Sequence, residues 1–319
     1  MAAALAAVAA AAVLPAAHAQ GDWPSKPIRL VVNFPPGSSP DVLARAISLP
    51  LQQALGQPVV VDNRAGASGM IGADAVAKAA PDGYTLLMTA GSTITTNPFI
   101  YPKMAYDTDK DLVPVAAAAR VALFLVTRPN LPVNNLRELV AYMKANPGKL
   151  SYGSAGNATG LHLAGEMLKS QAGVYAVHVP YKGASPALQD LLAGQIDFYF
   201  DPGIALQQVR AGKLKMLGVA VAHRSSAFPD VPTLAEAGLK GFDAGTTHGF
   251  YAPAGTPPEI VVRLNREINR ILTLPAVRAQ IATIGAEPSP MTPAQFAALM
   301  ADDSRRYGAV IRERHIKAD

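Results

Sequence analysis

Cysteine is absent from all 319 residues. Its absence excludes disulfide staples, thiolate metal sites, a cysteine nucleophile and a lipid-bearing cysteine behind a leader. Charge is scarce as well: Asp, Glu, Lys and Arg make up 16% of the chain, and a formal net charge of +5 is spread thinly along it. The one basic concentration, Arg305, Arg306, Arg312, Arg314 and Lys317, lies on a helical pattern beside Asp302, Asp303 and Glu313. That interleaving describes a solvated helix face, and it lacks the dense basic stripe that nucleic acid requires, so no nucleic-acid partner is expected.

Several motifs are missing too. Gly66, Gly69 and Gly72 do not have the G-x-G-x-x-G spacing of a dinucleotide site, and no phosphate-loop motif occurs. Ser154 is followed by Gly156, but Tyr152 stands where a nucleophile elbow needs its first glycine. His162 has only Glu166 at helical spacing, too few ligands for a metal. No cofactor and no metal are therefore expected.

What the chain does have is apolar residues, which make up half of it. A chain of this length and composition can bury one large core or two ordinary ones without staples. Residues 1–17 are almost pure Ala, Val and Leu, and they end in Ala17-His18-Ala19, a small-x-small cleavage pattern before Gln20. The run is short and small-residue-rich for a membrane span, so residues 1–19 read as a cleavable leader, although no Lys or Arg precedes the apolar stretch. Residues 1–19 carry no Asp, Glu, Lys or Arg, so their removal leaves the net charge unchanged. A periplasmic location follows as the expectation.

Short β-rich runs alternate with helical patterns, which predicts an α/β fold with mostly parallel sheets. Strands are expected at Ile28–Val32, Val59–Val61, Tyr84–Met88, Val121–Val126, Leu150–Gly153, Ala176–Val179, Ile196–Phe200, Leu214–Ala220 and through Gly249-Phe250-Tyr251. A helix opening at Asp41 carries Leu43, Ile47, Leu51 and Leu55 on one face, and Pro50 inside it predicts a kink or break. Asn135 with Glu138 makes a capping box. Thr256-Pro257 and Thr292-Pro293 each place a capping residue before a proline at a helix start.

Two segments share the plan of strand, Gly/Ser-rich loop and helix start. They are Phe34-Pro35-Pro36-Gly37-Ser38-Ser39-Pro40-Asp41 and Ser154-Ala155-Gly156-Asn157-Ala158-Thr159-Gly160-Leu161-His162. Backbone N–H groups at the positive end of a helix form an anion site, and hydroxyls add donors without charge. If the two loops face one another, a carboxylate can be held without an arginine. The competing reading is a pair of ordinary capped turns. His162 reads equally as a packed histidine or a ligand contact. Asp201 either contacts ligand at a strand end or caps the helix that follows. Tyr181 lines a cleft or packs in the core.

At these residues the chain resembles the Bug-type solute-binding proteins of tripartite tricarboxylate transporters. The resemblance rests on Phe34-Pro35-Pro36-Gly37 with Asp41 and Arg45, and on the block from Val61-Asp62-Asn63-Arg64 through Gly72. It continues through Pro81-Asp82-Gly83-Tyr84-Thr85-Leu86, Ser154-Ala155-Gly156-Asn157, His162-Leu163-Ala164-Gly165-Glu166, Val179-Pro180-Tyr181-Lys182-Gly183 and Ala252-Pro253-Ala254-Gly255-Thr256-Pro257. It implies a type II periplasmic-binding-protein fold, two α/β lobes joined by two crossover strands with the ligand cleft between them. Residues 20–120 with 250–319 would form lobe one and 121–249 lobe two, with the C-terminal helices returning to lobe one. The ligand contacts it implies are Phe34, Gly37, Ser38, Ser39, Ser92 and Thr93 from lobe one. From lobe two they are Ser154, Gly156, Asn157, Thr159, His162 and Asp201. The implied function is capture of a small carboxylate by a monomeric receptor and its delivery to membrane permease subunits. A ligand-sensing module feeding a membrane signalling system needs the same closure, and an α/β enzyme is the distant alternative.

Three departures from the family pattern stand out: Ser38 replaces a second glycine, Thr247 replaces a tryptophan, and Pro50 interrupts a helix. The first is expected to restrict the backbone and place a hydroxyl near the anion. The second is expected to alter the rim of the cleft.

Overall fold

The computed structural model describes residues 23–313 and 316–317, so the leader expected over residues 1–19 lies outside the described residues. The chain begins with β1 (Ile28–Val32), α1 (Ser39–Leu55), β2 (Val59–Asn63), α2 (Met70–Ala77) and β3 (Thr85–Thr89). Two short helices, α3 (Gly91–Thr95) and α4 (Asn97–Ile100), precede the long β4 (Leu112–Val121). Next come β5 (Phe124–Thr127), α5 (Leu136–Ala145), β6 (Ser151–Ser154), α6 (Gly160–Ala172), β7 (Val177–Pro180) and α7 (Ala184–Leu192). They are followed by β8 (Phe198–Asp201), α8 (Leu206–Arg210), β9 (Lys215–Val219) and β10 (Thr246–Pro253). The chain closes with α9 (Pro258–Ile271), α10 (Pro275–Ala282), β11 (Glu287–Pro288) and α11 (Pro293–Glu313).

These strands form two sheets, one ordered β11-β4-β10-β3-β1-β2 and the other β7-β6-β8-β5-β9. β1 explains the layering of the first. Leu30 and Val32 enter one core with Leu43 and Ile47 of α1, while Val31 enters another with Val76 of α2 and Phe296 of α11. Side chains alternate along a strand, so an apolar strand of this kind needs cover on both faces. The second sheet carries its own core around Phe198, Tyr199 and Phe200.

The sheets are mixed, not mostly parallel. β1 pairs parallel with β2 and β3, and β6 with β7 and β8. Every pairing that involves β4, β5, β10 or β11 is antiparallel. The reason lies in the connections. β4 leaves the first sheet at Val121 and β5 enters the second at Phe124, while β10 brings the chain back beside β4 from Thr246 onward. An outward and a returning strand side by side are antiparallel by construction.

Other expectations shift as well. β4 has no counterpart among the strands expected from the sequence, because Ala116 to Ala119 offer neither β-branching nor alternation. In the fold those small residues are fully buried, and they let α9 and α11 approach the strand from its two faces. Pro50 does not break α1, which runs on to Leu55. Ile47 and Leu51, buried on either side of it, hold both halves against the core. Thr256 does not cap α9, since its hydroxyl donates to the Pro253 carbonyl. Thr292 does cap α11, accepting from Gln295 N while Gln295 accepts from Thr292 N. The last turns of α11 also reach the segment before β10: Arg306 donates to the Asp243 carbonyl at 3.0 Å, and Tyr307 donates to that of Gly245.

Candidate functional site

Each candidate loop leaves the C-terminal end of a parallel strand, where ligands of open α/β sheets gather. After β1 the chain turns at Gly37, whose φ of +75° suits glycine. The turn is braced by Asp41, almost fully buried, whose carboxylate accepts from Gly37 N at 2.9 Å, Arg45 Nε at 3.0 Å and Asn63 Nδ2 at 2.9 Å. Asn63 also donates to the Phe34 carbonyl at 3.0 Å. Burial opposes ionisation of Asp41, yet the hydrogen bonds from Arg45, Gly37 and Asn63 hold its carboxyl below the usual range. The family motif residues Asp41, Arg45 and Asn63 thus fix the loop and leave its charges matched.

Ser38 occupies the position before α1 with φ −73° and ψ 160°, extended backbone open to any residue. The serine therefore restricts the backbone without straining it, because the positive φ falls on Gly37. Its hydroxyl does not cap the helix, and it is buried without a hydrogen-bond partner. Ser39 Oγ lies 2.9 Å from His248 Nε2. Burial pushes the His248 imidazole down to about 3, so the ring is neutral, and its Nδ1 has no partner.

After β6 the second loop is held from within. Ser154 Oγ accepts from Gly156 N at 3.1 Å and lies 2.7 Å from His178 Nε2. Thr159 precedes α6 but does not cap it, donating instead to the Gly156 carbonyl at 2.7 Å. Gly156 has φ +122°, and an added Cβ would meet Ser68 Oγ at 2.9 Å. Across the cleft, Ser68 and Tyr101 donate to the Asn157 carbonyl, the latter at 3.1 Å, and Thr96 donates to that of Ala158.

The two loops close on a cavity of about 30 Å³. Of the predicted residues, Phe34, Ser38, Ser39, Ser92 and Thr159 line it. Gly156 and Asn157 line a neighbouring cavity of about 210 Å³, which shares Phe34 and Ala155 with the first and is also lined by the exposed Lys182. Tyr181 lines this second cavity while its hydroxyl donates to Asp190 at 2.6 Å. Thr93 stands behind the wall, its hydroxyl 3.3 Å from Asn33 Nδ2.

Gly37, Ser154, His162 and Asp201 line neither cavity. His162 stacks on His178 with ring centroids 4.1 Å apart, and its Nδ1 accepts from Ala158 N. Asp201 caps the turn after β8, accepting from Gly203 N and Ala205 N and from the Tyr199 hydroxyl. Burial raises its carboxyl to about 6.

Thr246 and His248 on β10, Leu123 between β4 and β5, and Pro202 also line the first cavity, and sequence reasoning missed all four. The apolar members carry no signal in one dimension. His248 had one, since it adjoins Thr247, the departure noted above. Thr247 itself is fully buried with its hydroxyl unpartnered.

A family model described as tripartite tricarboxylate transporter family receptor matches residues 43–316. Protein BugT of Bordetella pertussis is 42% identical over 294 residues, covering 91% of this chain and 90% of that protein. Among solved structures, Rpa4515 of R. palustris with adipate superposes with a TM-score of 0.90 at 35% identity, covering 92% of this chain and 99% of that one. MatC from Rhodopseudomonas palustris with bound malate gives 0.86 at 35% identity, covering 91% and 100%.

Proposed function

The chain belongs to the tripartite tricarboxylate transporter receptor family, and from that premise we propose that it captures a small mono- or dicarboxylate between two lobes for delivery to membrane permease subunits. One observation carries the reading: two helices of 17 and 13 residues, α1 and α6, each bring the residues of their N-terminal end to the lining of one cavity, where the buried Ser38 hydroxyl lacks a partner. Helix N-termini attract anions, and an unpaired buried hydroxyl supplies a donor that a carboxylate oxygen would satisfy. The adipate and malate in the related structures are carboxylates too.

The lobes we assign are residues 20–120 with 250–319, and 121–249. The passage from β4 to β5 and the return through β10 support that division. A leader over residues 1–19 would deliver a monomeric receptor to the periplasm.

The site works as a binder and not as a catalyst. Ser39 and His248 have the look of a nucleophile–base pair, but an imidazole held near 3 is a feeble base. Its Nδ1 also lacks the orienting carboxylate that such pairs use.

Calorimetric titration with a panel of small carboxylates tests the reading. Ser38→Ala and Ser92→Ala, which remove hydroxyls lining the cavity, should each weaken a hit by about tenfold, the worth of one hydrogen bond to a charged group, with unchanged circular dichroism. Wild-type affinity in both variants would sink the site assignment. Turnover of the bound carboxylate would overturn the receptor reading.

A further inference from the structure

A third cavity, of about 420 Å³, is lined by residues of α11, β4 and β10 and shares no lining residue with the two described above. Ala297, Ala301 and Ser304 stand at helical spacing on one face of α11, and side chains so short leave space where longer ones would fill it. Ile94, Leu112 and Met300, all buried, give the cavity apolar walls together with Pro114.

Tyr251 on β10 adds a buried polar group that is unsatisfied. The residue is 3% exposed, and its ring packs on Phe296 at a centroid distance of 5.2 Å. Its hydroxyl has no hydrogen-bond partner among the described residues. Burial and the charge of Asp303 push the phenol up, so it keeps a hydrogen to donate. A buried donor left unpaired is unfavourable, and groups of this kind are ordinarily satisfied.

The charged residues of the lining, Asp109 and Arg305, are exposed, and the Arg305 guanidinium is held by Asp302 at 2.8 Å. An anionic acceptor at Tyr251 would be opposed by the charge of Asp303. A neutral carbonyl would accept the hydrogen bond and lay its body against the apolar walls. We propose that this cavity is a second ligand site, one that takes a small uncharged molecule with an apolar body and a carbonyl acceptor for the Tyr251 hydroxyl.

Full-length protein isotopically labelled at its methionine methyl groups reads the site by nuclear magnetic resonance through Met300, whose signal is identified with Met300→Leu. Acetophenone is the probe, toluene the matched body without an acceptor, and benzoate the matched anion. Acetophenone should shift the Met300 methyl saturably and bind about fivefold more tightly than toluene, the worth of one neutral hydrogen bond. It should also bind more tightly than benzoate. In Tyr251→Phe the margin over toluene should vanish while toluene binds as before. Because that substitution deletes an unpaired hydroxyl, the thermal midpoint should not fall; a lower midpoint would show the hydroxyl already satisfied by water and overturn the site. A Met300 signal that acetophenone leaves unmoved, a margin that survives Tyr251→Phe, or benzoate bound as tightly as acetophenone would overturn it too. None of these outcomes touches the carboxylate site, which shares no wall with this one.

Discussion

His248 is fully enclosed near the start of β10, with one ring nitrogen against Ser39 and the other without a partner. Burial holds its folded-state value at about 3, against 6.5 for the free side chain. The sign of the consequence follows from linkage. Between pH 6.5 and 3 the unfolded chain takes up a proton that the folded chain refuses, so stability is complete above 6.5 and is lost as pH falls toward 3. The loss from this group amounts to about 5 kcal/mol by pH 3. His248→Asn, which keeps a polar group opposite Ser39, should flatten the acid limb when urea midpoints are compared from pH 7 down to 4. An unchanged slope would show that other groups govern acid sensitivity. Ser38 teaches a different lesson at the same scale. A serine in place of a glycine narrows the backbone freedom of the loop without strain, since its conformation is extended, and it leaves a hydroxyl without a partner in the cavity.

Elements were legible where a local rule governs them. Asn135 and Glu138 form the expected capping box, Glu138 N donating to Asn135 Oδ1 at 2.9 Å. α1 and α9 follow from their apolar stripes. Where tertiary packing overrules propensity, the sequence misleads. Four alanines in succession argue for a helix, but β4 is paired by β10 and covered by α9 and α11, and small side chains are what that crowding requires. Pro50 is the opposite case, a helix breaker overridden by the buried residues on either side. The cost should still be present in α1. A proline inside a helix is unfavourable by roughly 3 kcal/mol, offset in part by the unfolded chain's reduced freedom. Pro50→Ala should therefore stabilise the protein by about 1–2 kcal/mol, raising the thermal midpoint by several degrees. A lower midpoint would mean that the ring packs usefully at its half-buried position.

For the whole molecule, closure of one sheet system on the other is held by hydroxyls reaching carbonyls. Ser68 and Tyr101 meet the Asn157 carbonyl, Thr96 meets that of Ala158, and Ser185 Oγ donates to the Pro36 carbonyl at 3.3 Å. Each such bond contributes about 0.5–1.5 kcal/mol to the closed state. Removing two, in a Ser68→Ala, Tyr101→Phe variant, should shift the open–closed balance by about 1–3 kcal/mol. Ligand affinity would fall by the same factor as the closed population. Small-angle scattering of the ligand-free variant should report a larger radius of gyration, with thermal stability little changed. A radius and an affinity equal to those of the parent would show that closure does not depend on these contacts.

Some of this protein was settled in one dimension. Absence of cysteine, the strand–loop–helix rhythm and two Gly/Ser-rich helix starts are local properties, written in residue type and spacing; they carried the α/β class, and from them comes the anion site proposed above. The identities of the cavity walls were not local. Leu123, Pro202, and Thr246 with His248 come from three separate stretches that meet only because β4 and β10 cross between the sheets. Nothing in a leucine or a proline announces that it will line a cavity. The same folding separates residues that the sequence had grouped. His162 and Asp201 belong to the motifs, but hydrogen bonding and stacking with their neighbours turn them to structural tasks. Helix termini are legible because backbone geometry repeats from turn to turn; a binding surface is not, because it is assembled from whatever distant segments the packing brings together.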